Sequence, residues 1–202
     1  MIIQSQDIVS FEQRYRTAFI NSLAGFRQAV LVGTASLEGE TNLAIFNSLI
    51  HLWANPALFG LVSRPDTVPR DTLQNIIDTK VYTLNYVASE HMNAAHQTSA
   101  RYAKTVSEFD VVGFTPEYFG EHPAPFVAEA VVKIGMRLEQ TVPIELNGTI
   151  LIIGSVQYIE IPDALVGSDG FVDLAAAEVL VSQGLDAYFA VRALGRLPYA
   201  KP

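Results

Sequence analysis

Residues 126–161 read FVAEAVVKIGMRLEQTVPIELNGTILIIGSVQYIEI, and this stretch decides the fold. Segments 126–139 and 149–161 are the longest strand candidates in the chain. Between them stands Asn147-Gly148, the strongest short hairpin signal, because a tight two-residue turn needs positive φ at its centre. The same reading extends upstream. Residues 28–36 (QAVLVGTAS) form a Val-rich strand, Glu38-Gly39 a turn, and residues 41–52 a second extended segment, together a hairpin. Asn55-Pro56 breaks the chain before a third strand at 57–63 (ALFGLVS), and 81–87 (VYTLNYV) reads as a fourth.

Helical periods are few. Phe11, Tyr15, Phe19, Ile20 and Leu23 recur at helical spacing and end near Gly25. Asp71 reads as the N-cap of TLQNIIDT, with Leu73, Ile76 and Ile77 on one face. Ser89 reads as the cap of a short helix through Gln97, and residues 171–183 (FVDLAAAEVLVSQ) as a helix stopped by Gly184. Residues 64–70 (RPDTVPR) are a Pro-bracketed loop, 100–125 an irregular stretch, and 188–192 a last strand. Repeats, low-complexity tracts and linkers are missing, so residues 1–202 are expected to form a single domain. It is mainly β (α+β), an antiparallel barrel or sheet with a few helices outside.

Composition narrows the function. Half of the 202 residues are hydrophobic, 17% are charged, and mean hydropathy is +0.24. A chain of this length buries roughly 70% of its unfolded surface, and the apolar excess points to a large core, a subunit interface, or both. The formal charge of −8 argues against nucleic acid and against an anionic membrane as partner. With no cysteine, disulfide scaffolds, thiolate metal sites and cysteine nucleophiles drop out. Residues 1–16 lack the basic start and apolar run of a signal peptide, and no apolar run is long enough to cross a bilayer. The expectation is a cytoplasmic protein.

Several motifs are absent. No G-x-G-x-x-G follows a strand, and neither a P-loop nor a G-x-S-x-G elbow appears. His91 and His96 stand five apart on different helix faces, so no metal site is expected. Asn147-Gly148-Thr149 matches a glycosylation sequon but reads as a hairpin turn, and Asp163, Asp169 and Asp173 read as acidic turn residues. No catalytic triad or carboxylate pair is present.

The informative region is 41–72. Asn42, Leu43, Ala44, Ile45, Phe46, Asn47 and Ser48 place polar residues at irregular intervals where a half-buried strand would alternate. Their side chains and backbone groups suit a planar, hydrogen-bonding ligand. Arg64 and Arg70 flank the Pro-rich loop that leads into a helix start at Asp71-Thr72. Two guanidinium groups beside a helix N-terminus would cradle a phosphate. On the residues alone the balance leans slightly to Arg64 and Arg70 as ordinary surface charges and Asp71 as only a helix cap.

The order of these segments resembles the flavin reductase-like family of FMN-binding split-barrel proteins. Members show N-L-A-P-F-S, D-P-P, K/R-D-T-x-x-N-I, F-V-V-N and I-I-G-E-V in that order. This chain carries Asn42-Leu43-Ala44-Ile45-Phe46-Asn47-Ser48, Asn55-Pro56, Arg70-Asp71-Thr72 with Asn75-Ile76, the Tyr82–Asn85 strand, and Ile152-Ile153-Gly154-Ser155-Val156. Glu108-Phe109, Gly113-Phe114-Thr115 and Ala124-Pro125 also match, so the likeness runs from about Asn21 to Ala190. It implies a six-stranded Greek-key split barrel and a homodimer with FMN at or near its interface. The flavin ring would lie along the backbone at 42–48, with the phosphate on Ser48, Arg64, Arg70 and Thr72. His96, Thr98 and Tyr102 would stand near its open face. Ile45 departs from the family's proline, and Thr149 stands where many members carry a histidine.

The resemblance implies an NAD(P)H-dependent flavin oxidoreductase passing hydride from NADH or NADPH to FMN. The rival is a non-catalytic FMN electron carrier, flavoredoxin-like, reduced by a redox partner protein; Thr149 favours it slightly. A barrel holding an apolar ligand without flavin is the third reading, opposed by Asn42, Asn47, Ser48 and the two arginines.

Overall fold

The computed structural model describes residues 1–65 and 70–201. The strands are β1 (Phe26–Gln28), β2 (Val30–Ala35), β3 (Thr41–Phe46), β4 (Ile50–Ala54), β5 (Ala57–Ser63) and β6 (Val81–Tyr86). After them come β7 (Pro116–Glu117), β8 (Phe126–Val127), β9 (Val132–Ile144), β10 (Thr149–Glu160), β11 (Val181–Gln183) and β12 (Ala187–Phe189). The helices are α1 (Ser5–Ser10), α2 (Gln13–Leu23), α3 (Asp71–Thr79), α4 (Met92–Gln97) and α5 (Glu108–Val112). Seven strands make one antiparallel sheet in the order β3-β2-β6-β9-β10-β5-β4, while β1, β11 and β12 make a smaller one.

Chain connectivity forces the large sheet to curl. Its two edges, β3 and β4, are joined by residues 47–49 alone. Four Cα steps reach at most about 14 Å, whereas six flat inter-strand gaps would span about 29 Å. The edges therefore approach each other, and the sheet becomes a barrel. Register shifts at Ile153/Gly154 and Val156/Tyr158 in the β9–β10 pair supply local bends of the kind such curvature requires. The hairpin forms, but through a four-residue loop, 145–148, in place of a two-residue turn: Gly148 at its end takes φ of +72°, and Thr149 donates from both N–H and Oγ to Asn147 Oδ1.

Buried side chains fall into two clusters. Val30, Val32, Leu61, Tyr82, Leu84, Met136 and Ile152 fill the barrel. Ala29, Leu31, Leu43, Val87, Phe109 and Leu180 form a second cluster outside it. Strand β2 is buried on both faces because its alternate residues serve the two clusters.

Several expectations held and others did not. The helix ending near Gly25, the strand at Ala57–Ser63 and the apolar face of α3 are as read. Segment 41–52 is divided between β3 and β4, which places its halves on opposite edges and raises the sheet to seven strands. Segments 28–36 and 126–139 divide likewise, at Ala29 and at residues 128–131. Stretch 100–125 contains α5 and β7. Asp71 is not the cap of α3: Arg70, with extended backbone, stands at the N-cap, and Asp71 is in the first turn, where a negative charge complements the helix dipole. Ser89 is likewise inside a 3₁₀ turn capped by Ala88, its N–H bound to Glu178 O.

The largest correction concerns 171–183. No helix forms there. Residues 174–178 form a turn, and the chain is extended from Val179 on: Leu180 N–H donates to Val87 O and Leu180 O accepts from Ala29 N–H, both at 3.0 Å, which ties the smaller sheet to the end of β6. Helical propensity yields as Val179 and Leu180 are buried and take backbone partners from distant segments.

Candidate functional site

Strand β3 is an edge of the barrel, and its outward backbone groups are the first component of the site. Leu43 N–H points away from β2 and donates to Glu108 Oε2 at 2.9 Å. By the two-residue period of a strand, Ile45 N–H points the same way.

At the start of β3, Asn42 Nδ2 donates to Thr34 Oγ1 (3.2 Å) and Thr72 Oγ1 (2.9 Å). Asn75 Nδ2 donates to the same Thr34 oxygen at 3.1 Å. This buried polar knot fixes the beginning of α3 against β3 and β2. At the other end, Asn47 Nδ2 donates to Gly184 O, and Ser48 Oγ donates to Val62 O while accepting Val62 N–H. β3 runs extended from Thr41 to Phe46, roughly 17 Å, and the chain bends at Asn47.

Two cations flank this edge. Arg64 follows β5 directly and is exposed; Arg70 is half-buried and donates from Nε to Pro65 O at 3.1 Å, which draws the two ends of the loop together. Residues 66–69 of the expected loop lie outside the described residues. On the far side of Asp71 the character reverses. Glu40, Asp71 and Glu108 line a shallow cleft of about 10 Å³ with Lys104. Burial pushes the Glu108 carboxyl above its ordinary value, Leu43 N–H pulls against that, and the charge of Asp71 adds to it. The cleft therefore disfavours an anionic group.

The three residues expected at an open face are placed as follows. His96 is exposed on α4, with Nδ1 2.8 Å from Tyr188 OH. Tyr102 OH accepts from Gln97 Nε2 at 2.6 Å. Thr98 is buried, and its hydroxyl donates to Ala95 O. The structure thus brings Asn42 to Thr72 and Arg70 to the Arg64–Pro65 segment, and pins Ser48 to β5. The reading from sequence missed Glu108 as the acceptor of Leu43 N–H and Tyr188 as the partner of His96. Both pairs join residues more than 60 positions apart, and nothing local in the sequence marks such a contact. Among the described residues no group of three His, Cys, Asp or Glu side chains is arranged to hold a metal, and no helix is long and apolar enough to cross a membrane.

Comparison with known proteins agrees with this architecture. The family model for the flavin reductase like domain matches residues 23–174, three quarters of the chain. The chain belongs to that family, and its fold is the split barrel. A protein from Shewanella frigidimarina, provisionally designated a flavin reductase with split barrel domain, superposes with a TM-score of 0.95 at 44% identity. That superposition covers 99% of this chain and 100% of the other. Nitrilotriacetate monooxygenase component B from Bacillus cereus gives 0.85 at 19% identity over 98% of both chains. Flavoredoxin of Desulfovibrio vulgaris gives 0.74 at 19% identity, over 87% of this chain and 92% of its own. The last two likenesses concern the fold alone.

Proposed function

We propose that the chain is an FMN-binding flavoprotein, working as an NAD(P)H-dependent flavin oxidoreductase in the cytoplasm as a single-domain homodimer. The observation that carries this reading is the edge strand β3, with outward Ile45 N–H, flanked by Arg64 and Arg70, in a member of the flavin reductase-like family. Roughly 17 Å of extended edge is long enough for a tricyclic ring to lie along it, with the corner at Ser48 beyond it for a phosphorylated side chain. FMN, when bound, accepts and delivers hydride, and the chain's residues bind, orient and tune it.

In this reading the backbone at Leu43–Phe46 lies along the ring. Ile45 keeps an N–H that proline, usual at this position in the family, lacks; it is a donor for the ring's polar edge. Arg64 and Arg70 hold the phosphate, with Ser48 and Thr72 as hydroxyl partners. Asn42 and Asn47 fix the two ends of β3, and Asp71 and Glu108 keep the anion on the arginine side. His96, Thr98 and Tyr102 border the open face, where NADH or NADPH would approach. Arg70→Ala is expected to weaken FMN binding about tenfold or more while leaving riboflavin nearly unaffected. Equal loss for both ligands, measured by fluorescence titration, would remove the phosphate role.

A second reading is favoured by one observation. Thr149 occupies the place of the family's histidine, and its hydroxyl is taken up by Asn147. If nicotinamide has no seat there, the chain is an electron carrier reduced by a redox partner protein. The deciding experiment is the visible spectrum of purified protein, repeated anaerobically after NADH and after NADPH. Bleaching by either nucleotide is expected. A yellow protein that stays oxidised would favour the carrier, and no flavin band after added FMN would overturn both.

A further inference from the structure

Beyond β12 the chain continues as an arm, residues 190–201, without helix or strand. It is not adrift. Arg196 Nη2 donates to Asp169 Oδ2 at 2.6 Å, and its guanidinium lies 4.1 Å from the centre of the Phe171 ring. Around this tether, however, Leu194, Leu197 and Tyr199 are 90, 94 and 90% exposed. The alignment with the Shewanella protein takes in 99% of this chain, so the arm lies within the matched part. Three large apolar side chains on an arm tethered at Arg196 and left in water call for a surface to cover them.

Charge indicates which surface. Arg192, Arg196 and Lys201 with no Asp or Glu give residues 190–202 three positive charges. The net charge of −8 therefore leaves −11 on residues 1–189. The body of the same chain also exposes Leu23, Phe26, Ile50 and Trp53. With Arg196 already paired to Asp169, a second copy offers carboxylates for Arg192 and Lys201 and apolar side chains for Leu194, Leu197 and Tyr199.

We propose that residues 190–201 of each subunit pack on the second copy of this chain. Leu194, Leu197 and Tyr199 enter its apolar surface, and Arg192 and Lys201 meet its carboxylates. The inference rests on the homodimer reading above and adds the element that clasps the two copies.

Sedimentation equilibrium on the full chain tests it, comparing wild type with Leu194→Ser/Leu197→Ser/Tyr199→Ser and with Arg192→Glu/Lys201→Glu. These side chains do not belong to either hydrophobic cluster, and far-UV circular dichroism is expected to match wild type in both variants. Each variant is expected to raise the dimer dissociation constant by at least about tenfold. Added salt is expected to weaken the wild-type dimer more than the Arg192→Glu/Lys201→Glu dimer. Unchanged dissociation constants in both variants would overturn the arm's role and leave the homodimer standing. A wild-type chain that stays monomeric would overturn the homodimer and the clasp together. Monomers that co-sediment with phosphatidylcholine–phosphatidylglycerol vesicles, and lose this in the variants, would reassign the arm to a lipid surface.

Discussion

Tyr82 is wholly buried inside the barrel, and among the described residues its hydroxyl has no hydrogen-bond partner. Burial alone pushes its phenol far above the ordinary value. Gly154, at a bulge of β10, makes room for that hydroxyl: a Cβ there would collide with Tyr82 OH and stand 3.0 Å from Arg137 O. Gly154→Ala is therefore expected to cost about 1–3 kcal/mol. In a Tyr82→Phe background part of that cost should vanish, since the hydroxyl is removed while the ring carbon 3.0 Å from the added Cβ stays, which a urea-unfolding double-mutant cycle measures. Equal costs in the two backgrounds would place the conflict at Arg137 O instead. Glu108 is a second residue-scale case. Its folded pKa lies above its unfolded value, so the stability it contributes is full below 4.5 and is lost as pH rises through the folded value. Glu108→Gln should raise stability at neutral pH and flatten the pH dependence across that window, read by thermal unfolding in a pH series. The Ile-Ile-Gly-Ser-Val string at 152–156 was legible as strand, but why Gly stands in it was not. The reason is a tyrosine 72 positions earlier.

Among the elements, β7 depends on a buried cation. Lys133 on β9 donates to Glu117 on β7 at 2.6 Å and to Glu160 on β10 at 3.0 Å, with its ammonium 5.0 Å from the Phe119 ring centre. Lys133 is buried, whereas its two carboxylate partners still reach water. Removing the lysine leaves carboxylates that solvent can stabilise; removing both carboxylates leaves a desolvated ammonium without its charge partners. Glu117→Gln/Glu160→Gln is accordingly expected to destabilise by about 3 kcal/mol or more, and Lys133→Met by less. Chemical denaturation of the two variants checks the order, and the reverse order would show that the carboxylates are not the dependent partners. Strands announced by turn chemistry, such as the pair around Asn147-Gly148, were legible because their signal is local. Residues 171–183 were not. Their helical pattern is real, but the backbone partners at Ala29 and Val87 lie about 90 to 150 positions away, and pairing with them outweighs local preference.

For the whole molecule, closure of the barrel turns on the corner between β3 and β4. Ser48 Oγ both donates to and accepts from the backbone of Val62, holding that corner on β5. Ser48→Ala leaves both Val62 groups without these partners, and a loss of about 1–2 kcal/mol is expected in flavin-free protein. Denaturation without flavin separates this structural role from phosphate binding, since no ligand is present to mask it. An unchanged midpoint would show that the corner is held by other contacts. What the sequence by itself determined was the material: mainly β architecture, hairpin punctuation, an acidic chain without cysteine, and the 42–48 and 70–72 motifs that identify the family. These are local or compositional properties, and each is carried by neighbours along the chain. Tertiary structure alone decided that 41–52 would split across two edges, that 171–183 would form a turn and a short strand in place of a helix, and that Asn42 would meet Thr72. Those outcomes depend on backbone groups finding partners and apolar side chains finding cover across dozens of residues, and only the closed barrel supplies both.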